Sequence, residues 1–236
     1  MAGPEQLSLG VNLNDDATFD NFFAPTDSGN AQTVALLRAQ LAGAADPVVV
    51  LWGAAGAGLS HLLQACCHAA QDAGLNFQYL PLAELAAFEP AALCEGLDSL
   101  DGVCVDNLEA VAGDLAWEEA LFHLYNRLRD RGRCLVVAAA EGPHQLPLAL
   151  PDLRSRLQWG VSCQVTPLDD AGKLDALRQR AHARGLALSQ EVAQYILQRV
   201  PRDTKPLFQC LEQLDRASLA QQRRLTIPFV KSVLQV

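Results

Sequence analysis

The chain has 236 residues, half of them hydrophobic, and a formal net charge of −9, which suits one large domain or a core domain with a small second one and argues against bulk disorder. No apolar run is long enough to span a membrane, residues 1–9 hold Glu5 but no Lys or Arg where a secretory leader is basic, and the acidic balance speaks against a dominant non-specific DNA contact. Of eighteen Lys and Arg, only Arg38 precedes Arg127, so any positive charge needed by the first half must come from the second half or from another chain.

Residues 1–12 carry no period that could bury a face, and Gly3, Pro4 and Gly10 punctuate them; a flexible tail is expected. Residues 46–52 form a continuous apolar, β-branched run that suits a strand buried on both faces of a parallel sheet. The glycine-rich turn 53–58 follows, then residues 60–73 with helical spacing, stopped by Gly74. Residues 77–82 read as a second strand, residues 83–97 as helical and residues 101–106 as a third strand. Trp117, Ala120, Leu121, Leu124 and Leu128 share one face of a long helix that Gly132 ends. Residues 134–140 and 161–165 supply two more strands. Strands alternating with helices predict a three-layer α/β domain with a mostly parallel sheet.

After Thr166 and Pro167 the pattern becomes purely helical, over residues 169–184, 189–200, 205–220 and 227–234. Ser189 and either Asp203 or Thr204 are candidate N-caps, and Pro228 fits a first helical turn. The expected organisation is a tail over 1–12, an α/β base over 13–166 and a small four-helix lid over 167–236. The chain shows no internal repeat. Its seven cysteines form no C-x-x-C pair and lie largely in apolar runs, so they read as reduced core residues; the five histidines show no metal spacing.

Gly53-Ala54-Ala55-Gly56-Ala57-Gly58-Leu59-Ser60 matches a phosphate loop in spacing, with one chemical exception. Such loops use glycines so that backbone N–H groups can wrap phosphate oxygens at a helix N-terminus, with Ser or Thr on magnesium. Ser60 is present, followed by His61, but Leu59 stands where a lysine would reach the β and γ phosphates. A bare glycine-rich turn fits the loop alone; the strand before it and the helix after it favour phosphate. Asp106 ends an apolar strand, where a magnesium carboxylate would sit, and Asn107 takes the place of the acid that polarises water. A strand-end turn residue is the plain alternative for Asp106. Arg154 and Arg156 precede the last strand; a solvated basic turn is the ordinary meaning of such a pair, yet an arginine there can reach a γ-phosphate held by a neighbouring subunit.

Taken together, several segments resemble the Hda family of DnaA-related AAA+ regulatory inactivators: Gln6-Leu7-Ser8-Leu9, Thr18 to Phe22, Gly53 to Leu63, Val105-Asp106-Asn107, Leu124 to Arg127, Leu150 to Leu153, Ser155-Arg156-Leu157, Trp159-Gly160, Gln213 to Ser218 and Thr226 to Lys231. The resemblance covers essentially the whole chain. It implies an AAA+ phosphate-loop base with an all-α lid. It also implies a cytoplasmic, nucleoid-associated negative regulator of replication initiation that is not itself an effective ATPase. Its partners would be DnaA and the sliding clamp (β subunit) of DNA polymerase III, with DNA met only through the clamp and no membrane contact. Gln6, Leu7 and Leu9 would anchor the tail in the clamp's peptide pocket, and Arg156 would act in trans as an arginine finger on ATP held by DnaA. Gly53, Gly56, Ala57, Gly58, Leu59, Ser60, His61, Asp106 and Lys205 would surround ADP or another nucleoside diphosphate, with magnesium on Ser60 and Asp106 only when nucleotide is bound. Phe19, Phe22 and Asn30 would lie near the base.

The chain departs from the family at Leu59, at Ala139-Ala140-Glu141, which lacks the usual hydroxyl after the fourth strand, and at Lys205, which replaces an arginine and is followed by Pro206. Two other readings remain open: a nucleotide-independent scaffold linked to the clamp, and an autonomous ATPase of the helicase-loader kind.

Overall fold

The computed structural model describes residues 13–201 and 204–235, without the side chain of Lys205. The tail residues Gln6, Leu7 and Leu9 and the alternative cap Asp203 therefore lie outside the described residues.

Five parallel strands form one sheet in the order β2-β3-β4-β1-β5: β1 (Val48–Trp52), β2 (Phe77–Pro81), β3 (Gly102–Asp106), β4 (Cys134–Ala139) and β5 (Val161–Gln164). The apolar runs are continuous because successive side chains enter opposite cores. Val48 and Val50 pack with Val103, Val105, Leu135 and Val137 on one face. Val49 and Leu51 pack with Cys104, Val136 and Ala138 on the other.

Helix α1 (Gly29–Leu41) and α2 (Leu59–Asp72) cover this second face. The sequence pattern does not reveal α1, because its buried positions include Asn30, Thr33 and Gln40 beside Leu37. These polar groups are satisfied: the Gln40 amide donates to Pro47 O at 2.8 Å and the Thr33 hydroxyl to Gly29 O at 3.0 Å. The expected helix over 83–97 is instead two short pieces, α3 (Leu82–Leu85) and α4 (Pro90–Cys94), with a 3₁₀ turn at Leu97–Ser99. Pro90 cannot continue a helix from α3, and the Glu89 carboxylate caps a new one by accepting from Ala91 N and Ala92 N. Helix α5 (Leu115–Asp130) lies on the first face of the sheet, packed through Trp117, Leu121, Leu124 and Leu128.

Arg154 and Arg156 sit on a helix, α6 (Pro151–Trp159), not on a basic turn. The lid holds α7 (Asp170–Ala183), α8 (Gln190–Arg199), α9 (Thr204–Gln221) and α10 (Ile227–Leu234) around Leu177, Ile196, Leu211, Leu214 and Phe229. Ser189 caps α8 by accepting from Val192 N, and Pro228 occupies the first turn of α10. No described helix is long and apolar enough to cross a membrane.

Candidate functional site

Between base and lid lies a cleft of about 1020 Å³, lined by the 53–61 turn, the chain around Asn21 and Phe22, the ends of β3 and β4, and α7 and α9 of the lid. A Cβ at Gly53 would lie 2.2 Å from Val165 O, so the loop can pass the end of the sheet only without a side chain. Gly56 and Gly58 have φ of 80° and 97°, and a Cβ at Gly58 would meet the Phe22 ring at 2.7 Å. Gly58 is the N-cap of α2 and carries no side chain to close it. The first N–H groups of a fourteen-residue helix therefore face the cleft with no side-chain cap, which suits a diphosphate. Leu59 lines the cleft and packs, half-buried, against the α1–α2 core, and its side chain brings no charge to the place where a lysine would meet phosphate. Ser60 is exposed to the cleft. The His61 imidazole packs on Phe22 and shares a hydrogen bond of 2.8 Å with Thr18 O; burial lowers its pKa to about 4, so it is neutral at physiological pH.

Asp106 does end a strand at the cleft, but its carboxylate is already engaged. The Tyr79 hydroxyl donates to Oδ2 at 2.6 Å and Asn107 N–H to Oδ1 at 3.0 Å, and only 1% of Asp106 is exposed. Burial, then the Asp106 charge and its hydrogen bond, raises the Tyr79 pKa, so the phenol stays protonated and keeps donating. A hard divalent cation needs available oxygen ligands. Ser60 and Asp106 both line the cleft, and each Asp106 oxygen already accepts one hydrogen bond, so a magnesium ion there would share a carboxylate held by Tyr79 and Asn107. Asn107 is held left-handed at φ 56°, and the nearby Glu109 accepts from Ala140 N at 3.0 Å, tying the end of β4 to the turn after β3.

Several expected neighbours of a base are sorted differently. Phe22 and Asn30 line the cleft. Asn30, however, is buried and spends its amide on the base–lid hinge, donating to Thr166 O at 2.9 Å and accepting from Thr166 N at 3.0 Å. Phe19 is a core residue beneath the Arg38 guanidinium, outside the lining of the cleft. Lys205 falls in the first turn of α9, beside Thr204, whose hydroxyl donates to Gly56 O at 3.3 Å.

Positive charge reaches the cleft from the lid, as the charge asymmetry requires, but through residues that no motif singled out. Arg180 and Arg184 of α7 and the turn after it line the cleft. Arg184 pairs with Asp16 and Arg180 lies 4.0 Å over the Phe208 ring, both nitrogen-rich heads being drawn toward the start of the base. The available signal was their spacing of four, which puts them on one helical face.

The two arginines of α6 differ sharply. Arg154 turns inward, donates to Leu148 O and buries its Nε without a partner. It is not the solvated charge that the sequence suggests. Arg156 is half-buried, has no ion pair among the described residues and lies 4.6 Å over the exposed Trp159 ring. It is absent from the lining of the chain's own cleft. The cysteines are free; Cys66, Cys67 and Cys104 lie together in the core, where mutual hydrogen bonding and burial raise the Cys104 pKa. Among the described residues no cluster of His, Cys, Asp and Glu could hold a metal.

Residues 13–164 match the family model of the bacterial DnaA ATPase domain, and residues 170–234 match the model of the Hda lid domain. Among solved structures, domain III of the replication initiation protein DnaA from Thermotoga maritima is similar at 21% identity and a TM-score of 0.76, over 95% of this chain and 98% of that one. AMPPCP-bound DnaA from Aquifex aeolicus is similar at 22% identity and a TM-score of 0.71, over 86% and 66%. The RuvB Holliday junction branch migration motor of Thermotoga maritima is similar at 15% identity and a TM-score of 0.67, over 93% and 71%. These likenesses bear out an AAA+ base with a parallel sheet and a helical lid.

Proposed function

Because this chain belongs to the family of the bacterial DnaA ATPase domain and continues into an Hda lid domain, we propose that it is a negative regulator of replication initiation that promotes hydrolysis of ATP held by DnaA. The observation that carries this reading is the placement of Arg156: in the last turn of α6 against the exposed Trp159, without a carboxylate partner among the described residues, and away from the chain's own cleft. An arginine so placed has nothing to do for nucleotide on its own chain. Offered to DnaA, it stabilises charge on the γ-phosphate as water attacks phosphorus and the bond to the β–γ bridging oxygen breaks, forming inorganic phosphate and leaving DnaA in its ADP form. Arginine suits this better than lysine because its planar fork can hold two phosphate oxygens.

The chain's own cleft holds a nucleoside diphosphate, ADP being the simplest candidate. The uncapped start of α2 receives the diphosphate, while Leu59 offers nothing to a γ-phosphate and Asn107 cannot act as a general base. The AMPPCP-bound relative supports a nucleotide in this fold. The sequence Gln6-Leu7-Ser8-Leu9 docks the chain on the polymerase sliding clamp, a proposal that rests on the sequence alone. The deciding experiment compares ATP turnover by DnaA in the presence of this chain, clamp and DNA with turnover by this chain alone. Stimulated turnover is expected in the first and background turnover in the second. Turnover by this chain alone that is abolished by Asp106→Ala would replace the reading with an autonomous ATPase, and absence of stimulation would leave a scaffold.

A further inference from the structure

Helix α6 ends at Trp159, the most exposed aromatic ring among the described residues at 61%. Leaving an indole in water is unfavourable, and the structure does not bury it; it covers it with charge. The Arg156 guanidinium carbon lies 4.6 Å from the ring centroid and that of Arg129, from the last turn of α5, lies 5.5 Å from it. Neither arginine forms an ion pair among the described residues. Arg156 and Trp159 are three residues apart on one helix and so share a face, whereas Arg154 is turned away and tied to Leu148 O. Gly160, the next residue, fixes the position of the ring along the chain. A Cβ on Gly160 would meet Val48 Cγ1 at 2.9 Å and Val48 O at 3.0 Å, so the chain passes from α6 into β5 hard against β1.

We infer that Trp159 is the positioning residue of Arg156. The indole face holds the guanidinium in place before any partner arrives, and Arg129 adds a second cation on the same ring, so the pair presents a two-arginine grip to the phosphate chain of a nucleoside triphosphate bound by another AAA+ protein. Stacking on an aromatic face leaves the N–H edge of a guanidinium free to donate, which an ion pair would not. This inference rests on the trans-acting reading of Arg156 given above.

The test is single-turnover hydrolysis of ATP bound to DnaA on clamp-loaded DNA, with the concentration of this chain varied so that maximal rate and half-saturation are separated. Trp159→Ala is expected to lower the maximal rate about tenfold or more with half-saturation changed less than about twofold, Trp159→Phe to restore most of the rate and Trp159→Leu not to restore it. Arg129→Ala is expected to give a smaller loss of the same kind. Because the ring is exposed, the melting temperature of each Trp159 variant is expected to match that of the parent. A parental rate in Trp159→Ala, a loss expressed wholly as weaker half-saturation, or equal rescue by Phe and Leu would each overturn the positioning role. If Arg156→Ala itself keeps the parental rate, the underlying function fails, an outcome distinct from failure at Trp159 alone.

Discussion

The cleft and the last turn of α6 represent opposite fates for the working parts of an AAA+ site. In the cleft the backbone is kept and the side chains differ: Gly53, Gly56 and Gly58 still shape the loop, while Leu59 brings no charge to the lining and the Asp106 carboxylate accepts from Tyr79 and Asn107. On α6 the reverse holds. One arginine, Arg156, is left without an opposing charge among the described residues, and aromatic contact takes the place of an ion pair. Under the proposed function, the difference teaches that the two halves of phosphoryl-transfer machinery can be separated: a chain would give up its own γ-phosphate chemistry and keep the group it lends to another.

Below the loss of Arg156 itself, the largest effect is expected on the cleft side. Gly53→Ala forces a methyl against Val165 O and should cost about 3 kcal/mol or more, read as a lower midpoint in urea; an unchanged midpoint would mean that the loop moves freely and the cleft is not built as described. Next comes pH. His61 has its folded pKa lowered from 6.5 to about 4 by burial, so it takes up a proton on unfolding between those values. The stability it supports is full above pH 6.5 and falls as pH drops toward 4, by about 2 kcal/mol at pH 5. His61→Gln should lack that share of the acid sensitivity, and equal pH profiles for variant and parent would contradict it.

Smaller effects sharpen the contrast. Arg154→Ala removes the donor to Leu148 O and should lower stability by about 1–2 kcal/mol, while stimulation of DnaA per folded molecule stays near the parent; the converse pattern would exchange the roles of the two arginines. Leu59→Lys should raise affinity for a non-hydrolysable ATP analogue relative to ADP by about tenfold, or ~1.4 kcal/mol, in calorimetry. If the parent already prefers the ATP analogue, the cleft still has a γ-phosphate contact.

Much of this was legible in the sequence because it depends on backbone period and spacing. The buried strands, the loop before α2 and the all-α lid each follow from apolar pattern or glycine placement. The illegible parts depend on phase and on distant partners. Helix α1 buries Asn30, Thr33 and Gln40, so hydrophobic periodicity passes over it. Pro90 divides an apolar stretch that otherwise reads as one helix. Arg154 and Arg156 look alike until the helix they share ties one to Leu148 O and lays the other over the Trp159 ring. Phe19 joins the core instead of the cleft, and Asp106 meets Tyr79, 27 residues away on the neighbouring strand. No local pattern announces such a pairing.

The central claim is that Arg156 serves a nucleotide on another chain. Its most direct test is single-turnover hydrolysis of labelled ATP preloaded on DnaA, with clamp-loaded DNA and either the parent chain or Arg156→Ala at equal clamp occupancy. The account predicts that Arg156→Ala lowers the stimulated rate by roughly 10³-fold or more, to the level of DnaA without this chain, with the fold and any ADP binding unchanged. An Arg156→Ala variant that stimulates hydrolysis as fast as the parent would contradict it.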